Sequence, residues 1–306
     1  MTVATAGLER VWDAGRPVDL RATLGHLRRG TGDPTHRFDE AGRFWWAVST
    51  PDGDGTLAVS AAGPCVTATA WGPGAGWLLH QVPELLGSLD DWSGLDVTGV
   101  PVLHEIRRRR AGLRLARTGR VLVELVPAIL EQKVTGVEAR RAWRYLVHRF
   151  GAPAPGPGGL RVAPAADVLL QIPSWEWHRA GVDGKRTRAI RAAASVARRI
   201  DECVDLTCAE ATRRLRLVPG IGVWTAAETT QRALGDPDAV SVGDYHLPNM
   251  VAHVLAGRAR GTDELMLELL APWAGQRQRV MRLIEATGMT APRFGPKFRY
   301  TDIRAI

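Results

Sequence analysis

The sequence predicts a mainly α-helical protein with an N-terminal α+β domain at residues 1–98 and an all-helical domain at residues 99–306. β-rich runs separated by turn residues are confined to the first part of the chain. Beyond it, apolar residues recur at helical spacing. The length, 306 residues, favours two cores over one. A composition of 45% hydrophobic and 24% charged residues is that of a globular chain, not a disordered one.

In chain order, residues 20–27 predict a short helix. Residues 44–50, 56–60 and 65–71 predict strands, broken by Pro51-Asp52-Gly53-Asp54-Gly55 and Ala62-Gly63-Pro64. Residues 76–86 predict a second helix, giving an antiparallel sheet with covering helices. Residues 90–101 read as the link between domains. Residues 104–118 are expected to form a helix carrying Arg107 to Arg110, Arg114 and Arg117. Such a helix is either phosphate-facing or a solvated surface, and consecutive arginines on a helix cannot all face one strand of nucleic acid. Residues 121–150 predict two helices around Lys133-Val134-Thr135-Gly136. A turn-rich connector follows at 151–159. Short segments at 167–171 and 173–178 come next, then a basic helix at 185–200. Trp175 and Trp177 either stack on a base or pack in the core. Residues 262–287 predict one or two amphipathic helices holding Pro272-Trp273. The tail, residues 293–300, alternates basic and aromatic residues, to touch nucleic acid or to pack back on the body.

The stretch with the most chemistry runs from Thr207 to Pro248. Thr207 and Glu210 form a capping box that starts a helix. The helix stops at Pro219-Gly220-Ile221-Gly222, and a second begins at once with Val223-Trp224-Thr225-Ala226. So short a connection leaves the first-turn N–H groups of the second helix pointing outward, where they and the helix dipole favour an anion such as a nucleic-acid phosphate. Asp244 follows Gly243 and precedes a helix starting near His246. It is either a helix cap or a catalytic carboxylate, and one position can serve both. His246 could hold a phosphate or the carboxylate, or be structural.

Leu217-Val218-Pro219-Gly220-Ile221-Gly222, then Thr225-Ala226, then a Gly/Pro-rich link to Asp244, resembles the helix-hairpin-helix plus Gly/Pro-Asp signature of base-excision DNA glycosylases. Trp224-Thr225-Ala226, Arg232-Ala233-Leu234-Gly235 and Asp244-Tyr245 are most similar to the AlkA-like branch, 3-methyladenine DNA glycosylase II. The resemblance implies a helix-hairpin-helix DNA glycosylase fold, two helical lobes flanking a cleft, and hydrolysis of the N-glycosidic bond of damaged bases, alkylated purines above all. It makes Asp244 catalytic. Pro219, Gly220, Ile221, Gly222, Val223 and Thr225 would touch DNA, with Gln132 beside the gap left by the extruded nucleotide. Lys133 would take the wedge position, which is apolar in AlkA-like relatives. Trp224, Trp273, Trp175 and Tyr245 would line the base pocket. The carbonyls of Arg216, Val218 and Ile221 would hold a structural monovalent cation. Bifunctional members carry a nucleophilic lysine where this chain has Trp224, and its only lysines are Lys133, Lys185 and Lys297, so the resemblance implies a monofunctional enzyme. Relatives with an iron–sulfur cluster need four cysteines near the C-terminus. None follows Cys208, so no cluster and no other cofactor is expected.

Charge and composition agree with a DNA partner. A formal charge of +8 and a pI near 10.2 suit a polyanion. Cys65, Cys203 and Cys208 are too scattered for a disulfide framework or a zinc site. No apolar run suits a bilayer and no signal peptide is visible, so the expectation is a cytoplasmic, nucleoid-associated monomer acting on damaged double-stranded DNA without a membrane partner. A non-catalytic helix-hairpin-helix protein that binds DNA or senses damage is the alternative.

Overall fold

The computed structural model describes residues 6–292; the basic–aromatic run at 293–300 lies outside them. The N-terminal part contains β1 (Leu8–Asp13), α1 (Leu20–Leu24), β2 (His36–Phe38), β3 (Phe44–Thr50), β4 (Gly53–Ala62), β5 (Cys65–Trp71) and α2 (Ala75–Leu85). The five strands form an antiparallel sheet in the order β1-β5-β4-β3-β2. Strand β3 is buried on both faces: Phe44, Trp46 and Val48 face α1 and α2, while Trp45 and Ala47 pack with Leu160 and Val162. That double burial explains its unbroken apolar run. The edge strands β1 and β2 were not among the predicted strands, because β1 is largely exposed and β2 is only three residues long.

The helical part contains α3 (Pro101–Arg109), α4 (Val121–Leu130), α5 (Gly136–Phe150), the short strands β6 (Ala152–Pro153) and β7 (Arg161–Val162), α6 (Ala166–Gln171), α7 (Ser174–Ala180), α8 (Gly184–Ser195), α9 (Ala197–Asp201), α10 (Cys208–Leu215), α11 (Val223–Ala233), α12 (Leu247–Ala256), α13 (Asp263–Leu270) and α14 (Arg277–Ala286). It builds two lobes. The first surrounds Leu125, Ile129, Trp143, Leu146, Trp177, Ile190, Leu215 and Ala226. The second joins α3 and α12–α14 around Leu103, Val251, Met266, Leu270 and Ile284, and it takes in Trp92, Leu95 and Leu113.

One expectation fails here. The helix expected at 104–118 starts at Pro101 and ends at Arg109. Past it the chain makes a turn and then runs, mostly buried, without regular secondary structure. Gly112 lies against the backbone of α1's N-terminus, where a Cβ would meet the Asp19 nitrogen at 2.5 Å. Leu115 N–H donates to Asp90 at 2.6 Å, and Thr118 N–H to the Arg232 carbonyl at 3.0 Å. These outside partners replace the intrahelical bonds.

A buried charge cluster ties the sheet domain to the helices. Arg29 pairs with Glu124 at 3.3 Å and Glu131 at 3.2 Å; Arg232 pairs with Glu228 at 2.7 Å and donates to the His26 carbonyl at 3.3 Å. Burial, then the charges of Arg282, Arg232 and Arg29, push His26 well below its ordinary pKa. It stays neutral among these cations.

Candidate active site

The capping box at Thr207 and Glu210 forms as the sequence requires, and α10 delivers the chain to the hairpin. Ile221 is buried and anchors the turn, while Pro219, Gly220 and Gly222 are exposed. The two glycines serve different ends. Gly220 has φ +89°, and a Cβ there would lie 2.7 Å from the Ala189 Cβ of α8. Backbone geometry and close packing both demand glycine at that position. Gly222 has an ordinary extended φ of −94°, and a Cβ there would meet nothing within 4 Å. It is the N-cap of α11 and offers no side-chain capping bond; the first intrahelical bond runs from Ala226 N–H to the Gly222 carbonyl at 3.0 Å. The first-turn amides, with half-exposed Val223 beside them, thus face open space that a phosphate oxygen can enter.

Gln132 lies where the α4–α5 loop meets this hairpin. Its side-chain amide donates to the Gly220 carbonyl at 3.0 Å and to the Thr225 hydroxyl at 2.8 Å. The next residue, Lys133, is exposed and has φ +53°, the one non-glycine residue with positive φ among the described residues. That left-handed backbone is uncommon for a lysine.

Asp244 joins the two lobes. One carboxylate oxygen accepts from the Trp224 indole N–H of α11 at 3.0 Å. The other accepts from His246 N–H at 2.8 Å and Leu247 N–H at 2.9 Å, capping α12. The two sequence readings of Asp244 therefore coexist, and the cap is what orients the carboxylate. The loop is held from beneath by Ser241, whose hydroxyl donates to Glu228 at 2.5 Å, and from the side by Asp263, which accepts from Gly243 N–H. Neither support carries a motif; each is a contact between residues distant in the chain. His246 contributes its backbone amide to the carboxylate, and its ring meets Tyr245 edge-on at 4.9 Å. Tyr245 is 84% exposed beside Asp244.

The two remaining pocket candidates lie on other elements of the helical lobes. Trp273 is half-buried against the second lobe and donates to the Asp96 carbonyl at 2.6 Å. Trp175 is exposed on α7, whereas Trp177 is the core residue of that pair, 2% exposed and bonded to the Ile172 carbonyl at 3.2 Å. A cavity of about 150 Å³ lies between the sheet and the first lobe, lined by His36, Val48, Leu122, Trp143 and Leu169, among others; Asp244 does not line it. The carboxylate instead lies half-buried on an open face, between exposed Gly243 and Tyr245.

The arginine-rich stretch finds its partners within the protein. Arg107 binds the carbonyls of Leu95 and Trp92, and Arg108 and Arg109 bind Glu105. Arg110 pairs with Asp19. Arg114, 1% exposed, donates to the carbonyls of Arg16 and Pro17, and Arg117 to that of Val204. Burial and the nearby charge of Arg16, opposed by Asp90, lower Arg114 to about 10. Cys203 is buried and Cys208 partly so, and burial pushes the Cys208 thiol up to about 11.

No protein-family model matches the chain. By sequence it is 30% identical over 151 residues to a probable bifunctional transcriptional activator/DNA repair enzyme AlkA of Mycobacterium tuberculosis. That match spans 48% of this chain and 30% of the relative's length. By structure it is similar to a 3-methyladenine DNA-glycosylase from Archaeoglobus fulgidus, with a TM-score of 0.73, 16% identity and coverage of 91% of this chain and 98% of that one. It is also similar to an apo 8-oxoguanine glycosylase/lyase from Clostridium acetobutylicum, with a TM-score of 0.70, 11% identity and coverage of 92% and 99%. Over about nine-tenths of its length the chain thus shares one architecture with those proteins: it has the helix-hairpin-helix DNA glycosylase fold.

Proposed function

We propose that the chain is a monofunctional DNA glycosylase that hydrolyses the N-glycosidic bond of alkylated purines in double-stranded DNA. The observation that carries this is the placement of Asp244, one oxygen bound to the hairpin helix through Trp224 and the other capping a helix of the opposite lobe. A carboxylate held from both sides is oriented before substrate arrives, the condition for electrostatic stabilisation to favour a transition state. The free amides at the start of α11 would take a backbone phosphate, and Gln132 and Lys133 would face the gap beside it. With the damaged nucleotide extruded, the C1′–N bond breaks as positive charge gathers on the sugar. Asp244 stabilises that charge, aligns the water whose oxygen bonds to C1′ and accepts that water's proton, while the base leaves with the bonding electron pair.

An alkylated base is already a better leaving group, so one carboxylate suffices. The similarity to the Archaeoglobus fulgidus 3-methyladenine glycosylase supports that substrate class. Trp224 stands where a lyase would need its amine, which favours hydrolysis over a Schiff base. Exposed Tyr245 adjoins the carboxylate and suits stacking on a base. Trp273 and Trp175 would line the remainder of the base pocket. The hairpin carbonyls of Arg216, Val218 and Ile221 are neutral oxygen donors of the type a monovalent cation takes, and that of Val218 keeps a lone pair beyond its bond from Ile221 N–H at 3.1 Å. A cation there would add positive charge beside the phosphate. Among the described residues no helix is long and apolar enough to cross a membrane, and the proposed setting is a monomer on nucleoid DNA.

The test is Asp244→Asn, assayed for abasic sites on methylated duplex DNA. We predict excision slowed by about a thousandfold, with duplex affinity kept. A wild-type protein that binds duplex but releases no base across a lesion panel would make it a DNA-binding or damage-sensing protein.

A further inference from the structure

We infer that Asp263 is a positioning residue for the loop that carries Asp244, an inference that rests on the glycosylase reading above. The main-chain N–H of Gly243 donates to both carboxylate oxygens of Asp263, at 3.1 and 3.0 Å. Gly243 has φ +92°. Its backbone is therefore in the left-handed region, and the direction in which the next residue leaves the turn depends on how that peptide is held. The next residue is Asp244.

An acidic residue in the first turn of a helix ordinarily serves that helix's own amides. Asp263 is differently engaged. Thr262 already caps α13, its hydroxyl accepting from Leu265 N–H at 3.3 Å. The Asp263 carboxylate is left to turn outward to Gly243, twenty residues upstream. Helix α13 packs against α12, and α12 is the helix that Asp244 caps. The result is a closed ring: α13 holds Gly243, Gly243 orients Asp244, Asp244 holds the start of α12, and α12 packs on α13. Glu228 closes the other end of the loop through Ser241. Cutting the ring at Asp263 leaves Asp244 in place but less well aimed, and rates are sensitive to small misplacements of a reacting group.

The experiment compares Asp263→Ala, Asp263→Asn and, as control, Glu264→Ala, an exposed acid in the same turn. Each is measured for single-turnover excision from methylated duplex DNA, for duplex Kd, and for hydrogen exchange at the Gly243 amide. Asp263→Ala is expected to slow excision about tenfold with Kd within about twofold of wild type. Asp263→Asn keeps one acceptor oxygen and is expected within about threefold of the wild-type rate. Glu264→Ala should match wild type. Gly243 exchange should quicken about tenfold in Asp263→Ala alone. The inference is overturned if Asp263→Ala excises at the wild-type rate, if rate and affinity fall together, or if Glu264→Ala has the same effect. Should wild-type protein release no base, the functional reading falls by itself, and Gly243 exchange decides whether Asp263 holds the loop.

Discussion

The hairpin at residues 216–225 and the arginine-rich stretch at 107–117 both read in the sequence as places for a nucleic-acid backbone. The hairpin tip carries little charge: Leu217 and Pro219 are apolar and exposed, and its anion-binding capacity lies in main-chain amides. The arginine stretch is dense in charge, yet its side chains are bound to carbonyls and carboxylates of the protein itself. An anion is drawn to donors that lack partners, and the count of positive residues does not report which donors those are. Net charge predicts attraction to DNA; unsatisfied geometry predicts the grip.

Several substitutions sharpen that contrast. The largest effect is expected where an internally matched charge loses its partner. Burial alone would raise the Glu228 carboxyl, but the charge of Arg232 and hydrogen bonds from Ser241 and Arg232 hold it below its ordinary value. Its stabilisation is therefore complete above the unfolded-state value of about 4.3 and is lost as pH falls through the lower folded value. Glu228→Gln should cost about 3 kcal/mol at neutral pH, by leaving Arg232 buried without its partner, and should flatten the acid limb of a Tm-versus-pH curve. An unchanged Tm profile would break the claim that this cluster holds the domains together.

Next come the two glycines. Gly220→Ala meets both a left-handed φ and Ala189, and should lower stability by about 2 kcal/mol in chemical denaturation. Gly222→Ala should lower stability by no more than about 1 kcal/mol, the cost of a poorer N-cap. Its methyl group nonetheless enters the space that the proposed phosphate would occupy, so duplex Kd should weaken about tenfold. Equal effects on folding from the two substitutions would contradict the division of labour described above.

A smaller loss is expected from Trp224→Phe, which keeps the aromatic bulk and removes the N–H bound to Asp244. Excision should slow by about tenfold, roughly one hydrogen bond to a charged group, with little change in Kd. Smallest of all, Arg108→Ala with Arg109→Ala should leave Kd and its salt dependence within about twofold, since those exposed side chains already serve Glu105. A markedly shallower salt slope would return the stretch to the DNA-binding surface.

Local signals made much of this legible. The capping box at Thr207 and Glu210, the Pro-Gly-Ile-Gly turn and the start of α11 at Val223 are short-range features, and all three formed where expected. The β3–β5 strands were equally plain, because turn residues bound each run. The 104–118 segment misled because arginine favours helix locally, while Gly112 and the distant partners Asp90 and Arg232 decide against it. Trp273 kept its sequence context but found its bond at Asp96, a residue no pattern links to it.

By itself, then, the sequence determined the elements whose cause is local: caps, turns, strand boundaries, and a hairpin joined at fixed spacing to one aspartate. The tertiary structure alone decided which donors remained free and which carboxylates met. Trp224 reaching Asp244, Gln132 reaching Gly220, and Asp263 reaching Gly243 each join positions at least twenty residues apart. Such bonds are fixed by the packing of whole helices, which brings together side chains whose pairing no local pattern encodes.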